Sequence, residues 1–286
     1  MVLSYGQHDL DIKSVKFHSG RNKQLKPNMH IPTTLSYLTL FTSFTAALPA
    51  QSAKAKPPFF VLAGDSTTAV QSTGGGGWGD GFLNTTLGHG ATGKNYGHNG
   101  ATTVSFRAGG DWAKVLATAR NVSKDYAPYV TIQFGHNDQK PAANISMAAL
   151  TANLVAFVKE ARAVPATPII VTSLSRRNYD STGHVVDSLA DVTAAAKAAA
   201  EQSGADIIDL NGASTKYLNA IGADNAHTYN LNPTDNTHLN GEGSIVFGNL
   251  VAMLIDAAVP QVRNYVKPVA GIEKALEKGV YIFPQV

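Results

Sequence analysis

The chain has 286 residues, 44% of them hydrophobic and 15% charged, which suits a folded domain with a substantial core and excludes a disordered or fibrous chain. Its formal charge of +3 comes from a basic leader: six of the 23 Lys and Arg but only two of the 20 Asp and Glu lie in residues 1–55, and the remainder carries −1. The basic isoelectric point of about 8.9 is therefore no argument for nucleic-acid binding, and the absence of cysteine excludes a disulfide framework.

Residues 1–55 read as a targeting segment. Leu35 to Leu48 is uncharged and apolar, of the length of a signal-peptide core and too short to span a bilayer comfortably. Ala53-Lys54-Ala55 supplies a small-x-small cleavage pattern, and Met29 is an alternative start. No later stretch is expected to reach the length of a membrane span. Secretion is the expectation, and the sequons at Asn84, Asn121 and Asn144 are compatible with glycosylation.

From residue 56 onward strand-like and helical runs alternate, the pattern of a parallel sheet covered on both faces. Strands are predicted at 59–63, 93–97, 129–134, 168–173 and 206–209, and helices at 78–87, 111–122, 145–162, 188–203, 212–221, 241–257 and, in the tail, 271–278. The continuous apolar run Phe59–Ala63 predicts a buried strand, so Ser66 in Gly64-Asp65-Ser66 falls at the carboxyl edge of the sheet, where open α/β folds place ligands. Gly74 to Gly77 follows and reads as a mobile loop. Gly88-x4-Gly93-Lys94-Asn95 resembles a phosphate loop but lacks both the Ser or Thr for magnesium and a strand leading into it.

Gly135-His136-Asn137-Asp138 follows the third strand, and Asp235-Asn236-Thr237-His238 precedes the last long helix. A serine hydroxyl needs an adjacent base, itself oriented by a third group, to act as a nucleophile. Asp235 and His238, three residues apart, fit that need, with the carboxylate fixing the imidazole tautomer. The same residues leave other readings open: turn and cap residues, or a metal hydrolase built on Asp65, His136, Asp235 and His238. For Asp65 and Asp138 the reading is turn-holding side chains, and for His136 a structural one. The elbow pattern Gly-x-Ser-x-Gly is absent around Ser66, which argues against the α/β-hydrolase fold.

These motifs make the chain resemble the SGNH (GDSL-type) hydrolases. Within that family it is similar to the rhamnogalacturonan acetylesterases, through Leu62-Ala63-Gly64-Asp65-Ser66-Thr67, Gly77-Trp78-Gly79-Asp80, Gln133 to Asp138, Ser175 to Asp180 and Asp235 to Asn240. The resemblance runs from about Phe59 to Ile255 and implies a three-layer α/β/α, flavodoxin-like fold with a central parallel sheet of about five strands. It divides the chain into the leader (1–55), a hydrolase domain (56–258) and a tail of unassigned role (259–286). It implies catalysis by Ser66, Asp235 and His238, with an oxyanion hole from the Ser66 and Gly100 N–H groups and the Asn137 amide; Gly97 is the alternative to Gly100. Substrate contacts are expected from Trp78, stacked on a sugar, and from Arg176 or Arg177, paired with a galacturonate carboxylate. The implied protein is a secreted monomer that removes acetyl groups from pectic polysaccharide without metal or other cofactor. The acetylated polysaccharide is its partner, with no nucleic acid and no membrane span in the mature chain. A lipase or thioesterase of the same family, or a non-catalytic carbohydrate-binding protein on the same scaffold, are the competing readings.

Overall fold

A computed structural model describes residues 55–285; the leader therefore lies outside the described residues. The chain builds β1 (Pro58–Gly64), α1 (Gly79–Thr85), β2 (Thr92–Asn95), α2 (Thr103–Ala108), α3 (Asp111–Val122), β3 (Ala127–Gln133), α4 (Met147–Ala163), β4 (Thr167–Val171), α5 (Ala190–Ser203), β5 (Asp206–Ile208), α6 (Leu210–His227), α7 (Gly241–Ala258) and α8 (Ala270–Lys278). All pairings in the five-stranded sheet are parallel, in the order β2-β1-β3-β4-β5, with Val61 opposite Lys94 on one side and Val130 on the other.

Side-chain alternation along β1 divides the core in two. Phe60 and Leu62 pack with Trp78, Phe82, Phe247 and Val251 on the α1–α7 face, whereas Val61 and Ala63 pack with Val115, Leu154 and Phe157 on the α3–α4 face. Burial on both faces is why β1 appears in sequence as a continuous apolar run.

The sheet order reverses at β1: the chain crosses outward to β2, then back past β1 to β3. A crevice forms beyond the carboxyl ends of the two strands at such a switch point. Ser66 follows the end of β1 and Asn137 follows the end of β3, so both motifs open into that crevice.

The structure adds to or corrects the sequence reading at three places. The segment 103–108 was not predicted as an element; it is helix α2, only six residues long, closed at its start by a reciprocal Thr102–Ser105 capping box and buried through Thr103 and Phe106. Helix α7 reaches membrane-span length, with a mean hydropathy of 1.3 over 18 residues, but 56% of it is buried and its Ser244 and Asn249 are enclosed among the core side chains. The tail is part of the same compact unit as the domain: Lys267 N–H donates to Thr86 O at 2.7 Å, Ile272 and Leu276 are buried, and Phe283 stacks on Tyr229 at 6.3 Å.

Candidate active site

The turn after β1 is built by Asp65. Its Oδ1 accepts from Thr67 N–H at 2.9 Å and the Thr67 hydroxyl at 2.7 Å, while its carbonyl accepts from Thr68 and Ala69 N–H at 3.1 Å each. Burial alone would push the Asp65 carboxyl up, but the His136 ring at 3.7 Å and the two Thr67 bonds outweigh it and hold the group below the usual carboxylate range. Below the turn, Gln133 Nε2 donates to Thr67 Oγ1 and Gln133 Oε1 accepts from Thr68 Oγ1 and Trp78 Nε1. The result holds Ser66 at the cavity edge, 5% exposed.

His238 Nε2 lies 2.8 Å from Ser66 Oγ, and His238 Nδ1 lies 2.8 Å from Asp235 Oδ2. A carboxylate only accepts, so the Nδ1 bond puts a proton on that nitrogen and leaves Nε2 as acceptor toward the serine. Asp235 Oδ1 also accepts from His238 N–H at 2.9 Å and Thr237 N–H at 3.0 Å. Partial burial raises the Asp235 carboxyl, but the His238 backbone and ring and the Thr237 N–H together hold it below its ordinary value.

The oxyanion side is formed by two loops. Gly100 and Asn137 line, with Ser66 and His238, a cavity of about 230 Å³. Among the described residues neither the Ser66 nor the Gly100 N–H has an acceptor, which leaves both free for a ligand. Gly97 does not line this cavity and spends its N–H on Asn95 Oδ1 at 2.9 Å, so geometry favours Gly100. Asp138 ties the loops together, its Oδ1 accepting from Thr103 N–H at 2.9 Å and the Thr103 hydroxyl at 2.6 Å. Its carboxyl is raised by burial despite those bonds.

Arg176 lines the cavity, held by Ser188 Oγ at 3.0 Å. Trp78 and Arg177 do not reach it, contrary to expectation. Trp78 is fully buried, its ring among core side chains and its N–H committed to Gln133, so it cannot stack on a sugar. Arg177 is fully buried too: Nε donates to Asn230 Oδ1 at 2.5 Å and Nη2 to His238 O at 2.6 Å. Burial pushes its guanidinium down to about 10, against the pull of Asp235. It clamps the Asp235–His238 loop rather than meeting substrate. Gly76 and Gly77, at the end of the glycine run, are likewise closely packed: a Cβ on Gly77 would lie 1.8 Å from Thr67 O, and one on Gly76 2.5 Å from Leu239 O. Those glycines let two loops touch, and the reading as a mobile loop gives way.

His136 is 3% exposed at the cavity floor, and neither ring nitrogen has a hydrogen-bond partner among the described residues. Among the same residues no group of three or more His, Cys, Asp or Glu is arranged to hold a metal ion. Sequence reasoning missed Lys140, which lines the cavity and bonds Asn137; its only signal is its place three residues beyond that asparagine.

The chain is similar to known proteins in family, sequence and fold. Residues 62–244 match the GDSL-like Lipase/Acylhydrolase family. The rhamnogalacturonan acetylesterase RhgT of Bacillus subtilis is 32% identical over 212 residues, 69% of this chain and 89% of that protein, and the probable rhamnogalacturonan acetylesterase YesY of the same organism is 27% identical over 72% and 96%. Among solved structures, a Bacillus subtilis protein, YXIM, superposes with a TM-score of 0.61 at 23% identity, over 71% of this chain and 57% of that one. The acetylxylan esterase Axe2 of Geobacillus stearothermophilus gives 0.51 at 17%, over 70% and 94%, and these two likenesses speak for the fold alone. The chain belongs to the GDSL-like lipase/acylhydrolase family and is a hydrolase of carboxylic esters.

Proposed function

We propose that the chain is a secreted, monomeric serine acetylesterase acting on acetylated rhamnogalacturonan through an acyl-enzyme. The observation that carries the mechanism is the unbroken relay from Asp235 Oδ2 to His238 to Ser66 Oγ, with both contacts at 2.8 Å. His238 Nε2 takes the Ser66 proton as Oγ attacks the acetyl carbonyl. The tetrahedral intermediate collapses, the C–O bond to the sugar breaks, and His238 returns the proton to the departing hydroxyl. Water, deprotonated by His238, then attacks the acyl-serine; the bond from the acyl carbon to Ser66 Oγ breaks, His238 returns the proton to Oγ, and acetate leaves. Charge on the carbonyl oxygen is met by the Ser66 and Gly100 N–H groups and the Asn137 amide, and losing one such donor typically costs about 100- to 1,000-fold in rate.

The substrate reading rests on similarity to the two Bacillus subtilis proteins and on the cavity. Its lining is polar, with Thr237, Asn137, Lys140 and Arg176 around Ser66, which suits a sugar ester better than a long acyl chain. Arg176 is not paired with a carboxylate among the described residues, which suits the galacturonate of a pectic backbone. Secretion rests on the signal-like leader.

The test is acetate release from acetylated rhamnogalacturonan and acetylated xylan, with 4-nitrophenyl esters from C2 to C8 alongside. Rates should fall with acyl length, because each added methylene would either clash with the site or remain in water without the roughly 0.8 kcal/mol its burial could contribute. Ser66→Ala should abolish all of them. Faster cleavage of C8 than C2 would make the protein a lipase, and equal rates on xylan and rhamnogalacturonan would remove the pectin assignment.

A further inference from the structure

The two ends of the Asn137 carboxamide are told apart by their neighbours. Nδ2 lies 3.0 Å from the Ala101 carbonyl, which can only accept, and Oδ1 lies 2.7 Å from Lys140 Nζ, which can only donate. Rotating the amide by half a turn would set oxygen against carbonyl and nitrogen against ammonium, losing both contacts at once. One Nδ2 hydrogen is spent on Ala101; the other remains for the cavity that Asn137 lines beside Ser66.

Lys140 is itself held in place. Its N–H donates to Asn137 O at 3.1 Å, closing the turn, and Pro141 follows, starting a short 3-10 helix that Lys140 precedes in extended conformation at φ −67°. Its ammonium, unpaired with any carboxylate among the described residues, bonds Asn137, which lines the cavity beside Ser66. A cation on an amide oxygen draws electron density from the nitrogen and makes its N–H groups stronger donors.

We propose that Lys140 is a positioning residue for ester hydrolysis: its ammonium fixes the Asn137 carboxamide with the nitrogen toward the reacting carbonyl and polarises it for the charge that develops there. The inference rests on the reading of Asn137 as an oxyanion donor. Lys140 then acts through Asn137 and not on the substrate, so its removal affects turnover on any ester, charged or neutral.

The experiment uses 4-nitrophenyl acetate, a neutral ester that offers Lys140 no carboxylate. For the enzyme and for Lys140→Met, Lys140→Arg, Asn137→Ala and the Lys140→Met/Asn137→Ala double variant, kcat, KM and the melting temperature are measured. Lys140→Met should lower kcat about tenfold with little change in KM or melting temperature, the size of one charge-assisted hydrogen bond acting through a donor. Lys140→Arg should recover most of the loss. In the Asn137→Ala background Lys140→Met should have no further effect, since no amide is left to orient. A Lys140→Met loss that persists undiminished in that background overturns the inference, as does an unchanged kcat in Lys140→Met when Asn137→Ala is impaired. If Asn137→Ala alone keeps full turnover, the oxyanion reading of Asn137 fails and takes the inference with it.

Discussion

Trp78→Phe separates packing from substrate contact at the residue whose position departs most from the sequence-based expectation. The indole is fully buried, its Nε1 bonded to Gln133 Oε1 and its ring edge-on to Phe82 at 6.2 Å. Gln133 Oε1 keeps its bond from Thr68 Oγ1 at 3.0 Å, so the acceptor is weakened but not orphaned, and the lost bond costs about 1 kcal/mol. Phenylalanine leaves a void of roughly 40 Å³, which at about 24 cal/mol per Å³ adds about 1 kcal/mol. The total of about 2 kcal/mol should lower the melting temperature by about 4–8 °C in a domain of this size. Turnover should fall modestly, because Gln133 also braces the Thr67 hydroxyl beneath Ser66, whereas KM for acetylated polysaccharide should not move. Scanning calorimetry and polymer kinetics read the two halves. An unchanged melting temperature with a several-fold rise in KM on polymer, and none on 4-nitrophenyl acetate, would put the indole on the sugar and refute the argument from burial.

Asp235→Asn should keep the fold and lose most activity, since the amide neither stabilises the imidazolium nor selects the productive tautomer; full turnover in that variant would contradict the relay. Arg177→Met leaves Asn230 Oδ1 without its buried donor and His238 O with only the Leu231 N–H, and kcat should fall by the same factor on neutral and acidic esters; a loss confined to uronate substrates would reassign Arg177 to binding. Asp65 and Asp235 are both held below the ordinary carboxylate range, so their stabilisation is complete above the unfolded value near about 4 and is lost as pH falls through the lower folded values. Melting temperature against pH should therefore fall in acid, and Asp235→Asn should shallow that limb.

Where the sequence was legible, local pattern and tertiary demand coincided. The run 59–63 reads as a strand because β1 is buried on both faces, and 111–122 was predicted with the ends that α3 has, an acidic first turn and an apolar face of Trp112, Val115 and Ala119. Ser66, Asp235 and His238 stand in short polar motifs that interrupt such patterns. The failures lie where residue type misleads about direction. Arg176 and Arg177 are neighbours of like charge in one loop, yet one lines the cavity while the other is enclosed in the core. Four glycines suggest mobility by composition, but Gly76 and Gly77 permit backbone contacts that any Cβ would block. Lys140 belongs to no motif, because its partner is chosen by a turn that only the fold specifies.

The site is assembled from four segments distant in sequence, and the loops are bonded to one another as much as to the sheet. Gly76 O accepts from Leu239 N–H at 2.8 Å, joining the serine loop to the histidine loop. Asp138 grips Thr103, joining the asparagine loop to the Gly100 loop, and Arg177 N–H donates to Asn236 O at 2.8 Å while its side chain holds His238 O. A transition state is recognised by donors and a base placed before charge develops, so the energy of placement must be supplied by the protein. Arg177 and Asp138 supply part of it from buried positions, with a guanidinium pushed down and a carboxyl pushed up by burial. Neither reaches the substrate through its own side chain as the loops stand. Their loss should therefore be felt in kcat, which measures placement, before it is felt in KM, which measures contact.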